Sequence, residues 1–312
     1  MATASGWANG PRSSLSDSPE PLIVAQNVAS VYEGPDAGSG LASQAILGDR
    51  VHVSESRGDF CRVTTGDRYA GWVAARLLAP ARDDSDFLTT TIATLFADVF
   101  SAPDARSEML TKLVVGTRAV IARRPEVGDW VPLLLPNDTV GYVHKVSLNL
   151  THAPAAAVET LRDRIAQEDL IAALGRNIAE TAKRFIGTPY LWGGCTPFGI
   201  DCSGLTQLAY KLNGIQLLRD ADMQFEDKRF RRVEEEQPLE TALLEDGDLV
   251  VFSRRDDKKP THIGLALGDG RFVHARGGLG VRIDDCDSPE YGGTYLGAVR
   301  LSPDADFVVE AA

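Results

Sequence analysis

Residues 187–214, GTPYLWGGCTPFGIDCSGLTQLAYKLNG, decide the fold of this chain. The stretch opens with glycines, aromatic residues and two cysteines, and then changes to apolar residues at helical spacing. These apolar residues follow one another at i, i+3, i+4 and i+7: Leu205, Leu208, Ala209 and Leu212. The periodicity predicts a helix from about 202 to 213 that buries one face, and Gly214 is typical of a helix end.

The start of the predicted helix carries the chemistry. Asp201 stands where an N-cap belongs, and Cys202 follows it in the first helical turn. A thiol at a helix N-terminus meets the positive end of the helix dipole, which favours the thiolate and lowers the thiol pKa. The backbone amides of Cys202 or Ser203 are suited to bind an oxyanion. The pattern therefore predicts that Cys202 is a nucleophile.

A cysteine nucleophile needs a base, and two of the five histidines are candidates. His262 and His274 lie in alternating β runs on either side of the turn GDG at 268–270. A hairpin centred on residue 268 would place the two histidines opposite each other, with Cβ atoms about 5 Å apart. We expect His262 to act as the base and His274 to orient it, whereas a one-residue slip would place them on opposite faces.

Three other roles are open to Cys202. It would be an inert buried thiol, a zinc ligand together with Cys195, His262 and His274, or the partner of Cys195 in a disulfide. The six residues between the cysteines exceed the usual ligand gap, and a reducing compartment disfavours the disulfide. The helix cap and the paired histidines favour the nucleophile, a chemistry that requires no metal or organic cofactor.

Composition places the chain among soluble globular proteins, since 44% of its 312 residues are hydrophobic and 24% are charged. The formal net charge of −12, without any basic run, argues against a nucleic-acid partner. The first residues lack the pattern of a signal peptide, and no segment has the ~18 consecutive apolar residues of a membrane helix. Four irregularly spaced cysteines fit a reducing compartment. We therefore expect a cytoplasmic protein with no membrane partner.

An internal repeat precedes the cysteine-containing region. Residues 31–78 align with residues 99–148, with a small change of offset that corresponds to a two-residue loop insertion. The matched pairs are Pro35 with Pro103, Gly48 with Gly116, Gly58 with Gly128 and Gly71 with Gly141. Each unit alternates short β-branched and aromatic runs with turn residues, which predicts two small antiparallel barrels.

The region after the repeat has a different pattern. From APAAAVETL at residue 153 onward, alanine and leucine recur with a 3.6-residue period, and β runs follow the helix that begins at Cys202. These runs are DLVVFS, HIGLALG, RFVHAR and GTYLGAVRL. Helices followed by an antiparallel sheet predict an α+β domain.

Five ordered motifs give this last region a family resemblance: GTPYLWGGCTPFGIDCSGLTQLAY, RDADMQF, GDLVVFS, HIGLALGDGRFVHA and YLGAVRL. Together they resemble the NlpC family of papain-like cysteine peptidases, which cut bacterial cell-wall peptides, and the repeats resemble bacterial SH3-like domains. The resemblance implies that Cys202 is the nucleophile, His262 the base and His274 the third polar residue. It also assigns three residues to the substrate pocket: Asp201, Ser203 and Tyr190.

The implied fold class is α+β, a papain-like domain with helices packed on an antiparallel sheet, preceded by two all-β SH3-like barrels. We expect Trp192, in the glycine-rich stretch, to be a core aromatic residue. The expected division of the chain is a disordered tail (1–20), SH3-like domain 1 (21–82), SH3-like domain 2 (85–150), a helical linker (151–169), the peptidase domain (170–303) and a short tail (304–312).

Family members with tandem SH3-like domains and no export signal are γ-D-glutamyl-L-diamino acid endopeptidases. They release L-Ala-D-Glu from murein peptides with a free N-terminal L-Ala, where the diamino acid is meso-diaminopimelate or L-lysine. In such relatives an acidic residue and a tyrosine of an SH3-like domain help to bind the amine, and Glu33 and Tyr69 are the best candidates here. Two carboxylates, Glu33 and Asp201, would then face one ammonium and exclude acylated peptides. The implied role is turnover of imported murein peptides.

Two other functions fit the sequence. An exported wall hydrolase would use the same chemistry and dock on peptidoglycan through its SH3-like pair. A non-catalytic protein would bind peptides at a vestigial centre. The intact set of Cys202, His262 and His274 favours an enzyme.

Overall fold

The computed structural model describes residues 22–149, 167–233, 241–254 and 258–303. The two expected tails, at 1–20 and 304–312, lie outside these residues, as does most of the expected linker helix. None of the helices in the described ranges is long and apolar enough to cross a lipid bilayer.

The first domain is an all-β unit. Its strands are β1 (Leu22–Val24), β2 (Val28–Tyr32), β3 (Leu41–Ile46), β4 (Arg50–Arg57), β5 (Phe60–Thr64), β6 (Ala70–Ala74) and β7 (Leu78–Pro80). They form one antiparallel sheet in the order β3-β2-β6-β5-β4-β1-β7. A short 3₁₀ helix at Ala75–Leu77 connects β6 to β7. Inward-facing Val24, Val31, Val51 and Val63 are fully buried and form its core.

The second domain repeats the first. Its strands are β8 (Thr89–Ile92), β9 (Phe96–Phe100), β10 (Met109–Val114), β11 (Arg118–Ile121), β12 (Trp130–Leu134), β13 (Val140–His144) and β14 (Leu148–Asn149). Their order, β10-β9-β13-β12-β11-β8-β14, corresponds strand for strand to that of the first sheet, and a 3₁₀ helix at Lys145–Ser147 occupies the equivalent place. The repeat predicted from the sequence is therefore confirmed as two copies of one fold.

One matched pair of glycines in the repeat, Gly71 and Gly141, meets the same close packing in both domains. A Cβ atom at Gly71 would lie 2.5 Å from Cγ1 of Val31, and one at Gly141 would lie closer still to Cγ1 of Val99. No side chain fits at either position, because a valine side chain and the backbone of the adjacent strand already fill the space.

The third domain contains three helices and eight strands within the described residues. Its helices are α1 (Gln167–Lys183), α2 (Cys202–Lys211) and α3 (Ala221–Phe225). Its strands are β15 (Cys195–Thr196), β16 (Gly199–Ile200), β17 (Phe230–Arg232), β18 (Leu249–Phe252), β19 (His262–Ala266), β20 (Arg271–Arg276), β21 (Gly280–Asp285) and β22 (Tyr295–Leu301). Short 3₁₀ helices lie at Thr241–Leu243 and Gly292–Thr294.

Six of these strands form one antiparallel sheet in the order β17-β22-β18-β19-β20-β21. Helices α1 and α2 pack against β19 and β20 and bury the main core of the domain. A second, largely aromatic cluster fills the opposite face of the sheet: Phe252, Phe272, Tyr291 and Tyr295. Helices on an antiparallel sheet confirm the predicted α+β class, although β17 and β21 are strands that the periodicity did not predict.

Helix α2 is buried on every side, not on one face as its apolar periodicity predicts. All residues from Ser203 to Tyr210 are buried, including the polar ones. The second face is covered by the first SH3-like domain, since Nε2 of Gln207 donates to Oδ2 of Asp67 at 2.9 Å. A polar helix face can be buried at little cost when its groups are hydrogen-bonded in this way.

The first SH3-like domain also contacts the loop that precedes α2. Oε1 of Gln44, on β3, accepts a hydrogen bond from the backbone N–H of Cys195 at 2.9 Å. Gly193, at φ +76°, comes so close to the backbone of Leu41 that a Cβ atom would lie 2.5 Å from its carbonyl oxygen. The domain interface is thus formed by backbone and side chains directly beside the candidate active site.

Candidate active site

Asp201 caps helix α2 as predicted. Its Oδ1 atom accepts from the backbone N–H of Gly204 at 2.7 Å, and its Oδ2 atom accepts from that of Gly193 at 2.8 Å. The carboxylate thereby joins the first turn of the helix to the glycine loop, and it holds Cys202 at the first helical position.

A buried arginine that the sequence analysis did not single out forms an ion pair with the same carboxylate. Nη1 and Nη2 of Arg219 donate to the two oxygens of Asp201 at 3.1 and 2.6 Å. Nη1 also donates to Oγ of Ser203 at 2.8 Å, and Nε donates to Oγ of Ser43 in the first SH3-like domain at 3.2 Å. The side chain of Arg219 is only 1% exposed. Both oxygens of Asp201 and the hydroxyl of Ser203 are therefore engaged within the protein, and their contact with the substrate stays a prediction.

The Cys202 sulfur lies between the start of α2 and the start of β19. Backbone N–H groups of Ser203 and Ile263 donate to it, and both lower its pKa. Burial, followed by the negative charge of Asp201, outweighs them and raises the pKa of Cys202 to about 12. The prediction of a lowered thiol pKa is therefore wrong, because burial and the capping carboxylate exceed the effect of the helix amides.

The two candidate histidines share one face of the β19–β20 hairpin, but in a register different from the predicted one. Leu265 pairs with Val273 and Ala266 with Phe272, so the hairpin is centred on residue 269 instead of 268. Continuing this register places Gly264 opposite His274, and a Cβ atom at Gly264 would lie 2.9 Å from Cβ of His274. The histidines are consequently diagonal neighbours, and the missing side chain at residue 264 leaves room for their rings.

The imidazole rings are directly hydrogen-bonded, with Nε2 of His262 2.7 Å from Nδ1 of His274. Nε2 of His274 in turn lies 3.2 Å from Oδ2 of Asp284, whose other oxygen accepts from Nε of Arg282 at 2.8 Å. A carboxylate only accepts, so His274 carries its proton on Nε2 and accepts at Nδ1 from Nε2–H of His262. This chain of bonds leaves the lone pair of His262 on Nδ1, the nitrogen not used by His274.

Both histidines are neutral at neutral pH. Burial, followed by the field of His274, lowers the pKa of His262 to about 3. Burial and the positive charges of Arg282 and Arg276 lower the pKa of His274 to about 3 as well. A protonated pair would place a positive charge in a buried, already cationic environment. Together with the raised pKa of Cys202, these values describe a resting site of thiol and neutral imidazole.

Acidic residues and a tyrosine meet at the interface beside this site. Glu33 follows β2 and Tyr69 precedes β6, and these strands are neighbours in the first SH3-like domain. The Tyr69 hydroxyl is hydrogen-bonded to the side chain of Asp220, which follows Arg219 in the chain. Burial, followed by the charge of Asp220, raises the pKa of Tyr69 to about 12, and Glu33 contributes in the same direction. The structure thus brings Glu33 and Tyr69 together, as predicted, but with Asp220 and not Asp201 as the second acid.

The aromatic residues of the glycine loop have different environments. Tyr190 is half-buried; burial, followed by the negative charges of Cys202 and Asp201 in their ionised forms, raises its pKa. Tyr190 therefore lies beside the candidate nucleophile, and its assignment to the substrate pocket stays a prediction. Trp192 is 70% exposed, which corrects its assignment to the core. The tight turn at Gly193, pressed against the first SH3-like domain, directs this side chain outward.

The second thiol of the glycine loop is part of the domain interface. Sγ of Cys195 lies 3.7 Å from Oγ of Ser43, and Cys195 and Cys202 are both free thiols. In the described parts of the chain, no three side chains of the metal-ligating types are grouped as a cation site. Cys195 thus contributes to packing between domains.

A cysteine at the start of a buried helix, next to a histidine pair on an antiparallel sheet, defines a papain-like cysteine peptidase. Comparison with known proteins identifies the family. The NlpC/P60 family model matches residues 187–300, and the model of the bacterial dipeptidyl-peptidase Sh3 domain matches residues 31–78. The chain belongs to the NlpC/P60 family of cysteine peptidases.

Two relatives align over most of their length. Dipeptidyl-peptidase 6 of Lysinibacillus sphaericus is 30% identical over 85% of this chain and 91% of its own. A gamma-D-glutamyl-L-lysine dipeptidyl-peptidase of Bacillus cereus is 27% identical over 84% of this chain and 76% of its own. The crystal structure of an NlpC/P60 family protein from Bacillus cereus superposes with a TM-score of 0.71 at 23% identity, covering 90% of this chain and 99% of that one. This likeness extends the shared fold over the SH3-like domains.

Proposed function

We propose that the protein hydrolyses the γ-D-glutamyl–L-diamino acid bond of peptidoglycan-derived peptides with a free N-terminal L-Ala, releasing L-Ala-D-Glu. Its role is the recycling of such peptides in the cytoplasm. The names of its two long-matching relatives, a dipeptidyl-peptidase and a gamma-D-glutamyl-L-lysine dipeptidyl-peptidase, support this substrate class. The observation that carries the proposal is the acid cluster of Glu33, Tyr69 and Asp220 beside Cys202.

Catalysis begins with attack of the Cys202 sulfur on the γ-carbonyl carbon of D-Glu. Because the thiol is not ionised in the free protein, its proton passes to Nδ1 of His262 as the carbon–sulfur bond forms. The imidazolium is stabilised by the relay, since its Nε2–H donates to His274 and His274 donates to Asp284. His262 thus gains its base strength from a chain of hydrogen bonds that ends in a carboxylate.

The remaining steps follow from the same atoms. The backbone N–H of Ser203 donates to the Cys202 sulfur, and that of Gly204 donates to Asp201. Because these two amides are already engaged, we assign the binding of the oxyanion to the backbone N–H of Cys202 itself. Nδ1–H of His262 protonates the leaving α-amine, which departs and leaves a thioester on Cys202. His262 then takes a proton from water, whose oxygen attacks the thioester. The carbon–sulfur bond breaks, the dipeptide is released, and the proton on His262 returns to the Cys202 sulfur.

The acid cluster accounts for the requirement for a free amine. The L-Ala ammonium, two residues before the scissile bond, is placed against Glu33, Asp220 and the Tyr69 hydroxyl. Burial raises the pKa of Asp220 above its ordinary value, so a bound cation compensates for an unfavourable charge. An acylated peptide would leave both acids without this partner and present a neutral amide instead. The docked SH3-like domain thereby limits the site to peptides that begin with a free L-Ala.

The test compares digestion of L-Ala-γ-D-Glu-meso-diaminopimelate with that of its N-acetylated form, with products identified by mass spectrometry. We expect L-Ala-D-Glu from the free peptide alone, and no product with Cys202→Ala. Cleavage of both peptides would favour a wall hydrolase with an open site. Binding without cleavage by the wild type would favour a non-catalytic peptide-binding protein.

Variants of the acid cluster test its role separately from the nucleophile. We expect Asp220→Asn and Glu33→Gln to raise KM for the free peptide about tenfold or more, because each removes a charge that pairs with the ammonium. The matched control is Glu55→Gln, an acid of the same SH3-like domain whose side chain is 40% exposed and pairs with Arg57. Equal KM values for all three variants would contradict an ammonium site in this cluster.

A further inference from the structure

The leaving side of the candidate site carries two arginines that the proposed mechanism does not use. His262 must protonate the leaving amine, so the residue that contains this amine lies against His262 and its neighbours. Continuing the β19–β20 register places Arg276 directly opposite His262 on the same face of the hairpin. Arg254 follows β18, in which Phe252 pairs with His262. Both arginines are therefore placed by the sheet at the leaving side.

A single carboxylate holds these two arginines in place. Arg254 Nη2 donates to Oε1 of Glu290 at 2.9 Å, and Arg276 Nη1 donates to Oε2 of the same residue at 2.7 Å. Glu290 precedes Tyr291, whose ring stacks on His262 with a centroid distance of 5.9 Å and an interplanar angle of 21°. The cluster of Arg254, Arg276 and Glu290 is thus anchored to the ring of the candidate base.

This arginine cluster has an excess positive charge that solvent and ligands can reach. Among the described residues of the cluster, two guanidinium groups against one carboxylate leave a formal charge of +1. The side chains of Arg254, Arg276 and Glu290 are 59%, 30% and 37% exposed. The nearby pair of Arg282 and Asp284 is neutral as a unit and serves His274. An anionic group of the leaving residue would therefore find solvent-accessible guanidinium N–H donors beside His262.

The candidate leaving residues differ in just such a group. meso-Diaminopimelate ends its side chain in an ammonium and a carboxylate, whereas L-lysine ends in an ammonium alone. The α-carboxylate is common to both and gives no discrimination. We propose that Arg254 and Arg276 bind the side-chain carboxylate of the leaving residue, so that the enzyme prefers a dicarboxylic diamino acid to L-lysine. This inference rests on the proposed function, whose bond and reaction it keeps.

The test measures kcat/KM for L-Ala-γ-D-Glu-meso-diaminopimelate, for the same peptide amidated on its distal carboxylate, and for L-Ala-γ-D-Glu-L-Lys. We expect the first to be cleaved about tenfold to a hundredfold better than the other two, as for a charge-assisted hydrogen bond. Amidation removes the charge without altering the protein. Equal rates for the acid and amide forms, or a preference for the lysine peptide, would overturn the inference and leave the proposed function intact. Cleavage of none of the three would overturn both.

Two variants test whether Arg254 and Arg276 produce the preference for the distal carboxylate. We expect Arg254→Gln and Arg276→Gln to lower the ratio of the acid to the amide rate toward one, because this ratio cancels any change that a variant makes to the rate on both substrates. Circular dichroism of each variant reports that it is folded. The matched control is Arg271→Gln at the other end of β20, where an exposed arginine pairs with Asp269. A ratio that is unchanged in both variants would overturn the assignment to these arginines.

Discussion

The Cys202 thiol illustrates how one residue's environment reverses a local expectation. A helix N-terminus alone favours the thiolate, but burial and the capping carboxylate of Asp201 act in the opposite direction and raise the pKa of Cys202 to about 12. The lowered pKa of His262 likewise disfavours an imidazolium partner. Proton transfer and attack are therefore expected to occur together once substrate is bound.

This charge state predicts the pH dependence of alkylation. Below the thiol pKa the thiolate fraction rises tenfold per pH unit, so the rate of Cys202 modification by iodoacetamide should rise about tenfold per unit from about pH 6 to pH 9. The rate is measured by mass spectrometry of the peptide that contains Cys202. The profile should keep its slope in His262→Ala. A pH-independent plateau that is lost in His262→Ala would instead demonstrate a resting ion pair.

The end of the histidine relay predicts a second single-residue effect. Asp284→Asn keeps an acceptor for His274 but removes the charge that stabilises the imidazolium, so kcat should fall about tenfold to a hundredfold with KM unchanged. Steady-state kinetics on the tripeptide measure this split. Asp285→Asn, at the next and exposed position, is the control and should leave kcat unchanged. Equal effects of the two substitutions would exclude Asp284 from the relay.

At the scale of the element, the β19–β20 hairpin positions the base through a missing side chain. A Cβ atom at Gly264 would lie 2.6 Å from Cδ2 of Phe272, 2.8 Å from the carbonyl oxygen of Val273 and 2.9 Å from Cβ of His274. One of these atoms belongs to the backbone of the neighbouring strand, so a side-chain rotation alone cannot make room for an added methyl group. Glycine is therefore the residue that lets the two imidazoles meet diagonally.

This packing predicts the cost of one methyl group. Gly264→Ala should lower the free energy of unfolding by about 1–3 kcal/mol and reduce kcat, because the strands must separate around His274. Gly277→Ala, after the end of β20, is the control, since its Cβ atom would meet nothing within 4 Å, and its effect should stay below about 0.5 kcal/mol. Urea denaturation of both variants measures the difference. Similar unfolding midpoints would refute the close approach at Gly264.

At the scale of the whole molecule, Arg219 connects two domains through one buried guanidinium. It pairs with Asp201 at the helix N-terminus and donates to Ser43 on β3 of the first SH3-like domain. Gln44 adds a second link, to the backbone of Cys195. The SH3-like domain is thus attached to the same residues that position the nucleophile, and its docking shapes the site.

The buried pair predicts a large effect of removing one partner. Arg219→Met should destabilise the protein by about 3–5 kcal/mol, because it leaves the buried Asp201 carboxylate without its cation. Adding Asp201→Asn to this variant should recover part of the loss. Arg271→Met, which breaks an exposed pair, should cost no more than about 1 kcal/mol. Chemical denaturation of the three proteins provides the comparison, and equal losses for Arg219→Met and Arg271→Met would contradict a structural role for the pair.

The sequence by itself determined the repeat, the α+β class, the helix with its Asp201 cap and the pairing of His262 with His274. These features depend on periodicity, turns and caps, which are interactions between residues close in the chain. Only the tertiary structure decided that Arg219 forms an ion pair with Asp201 and that Asp220 lies with Glu33 and Tyr69. It also decided that Asp284, on a strand that the sequence did not predict, ends the histidine relay. The partner of a carboxylate depends on segments that folding brings together from distant parts of the chain, and such contacts leave no periodic pattern in the sequence.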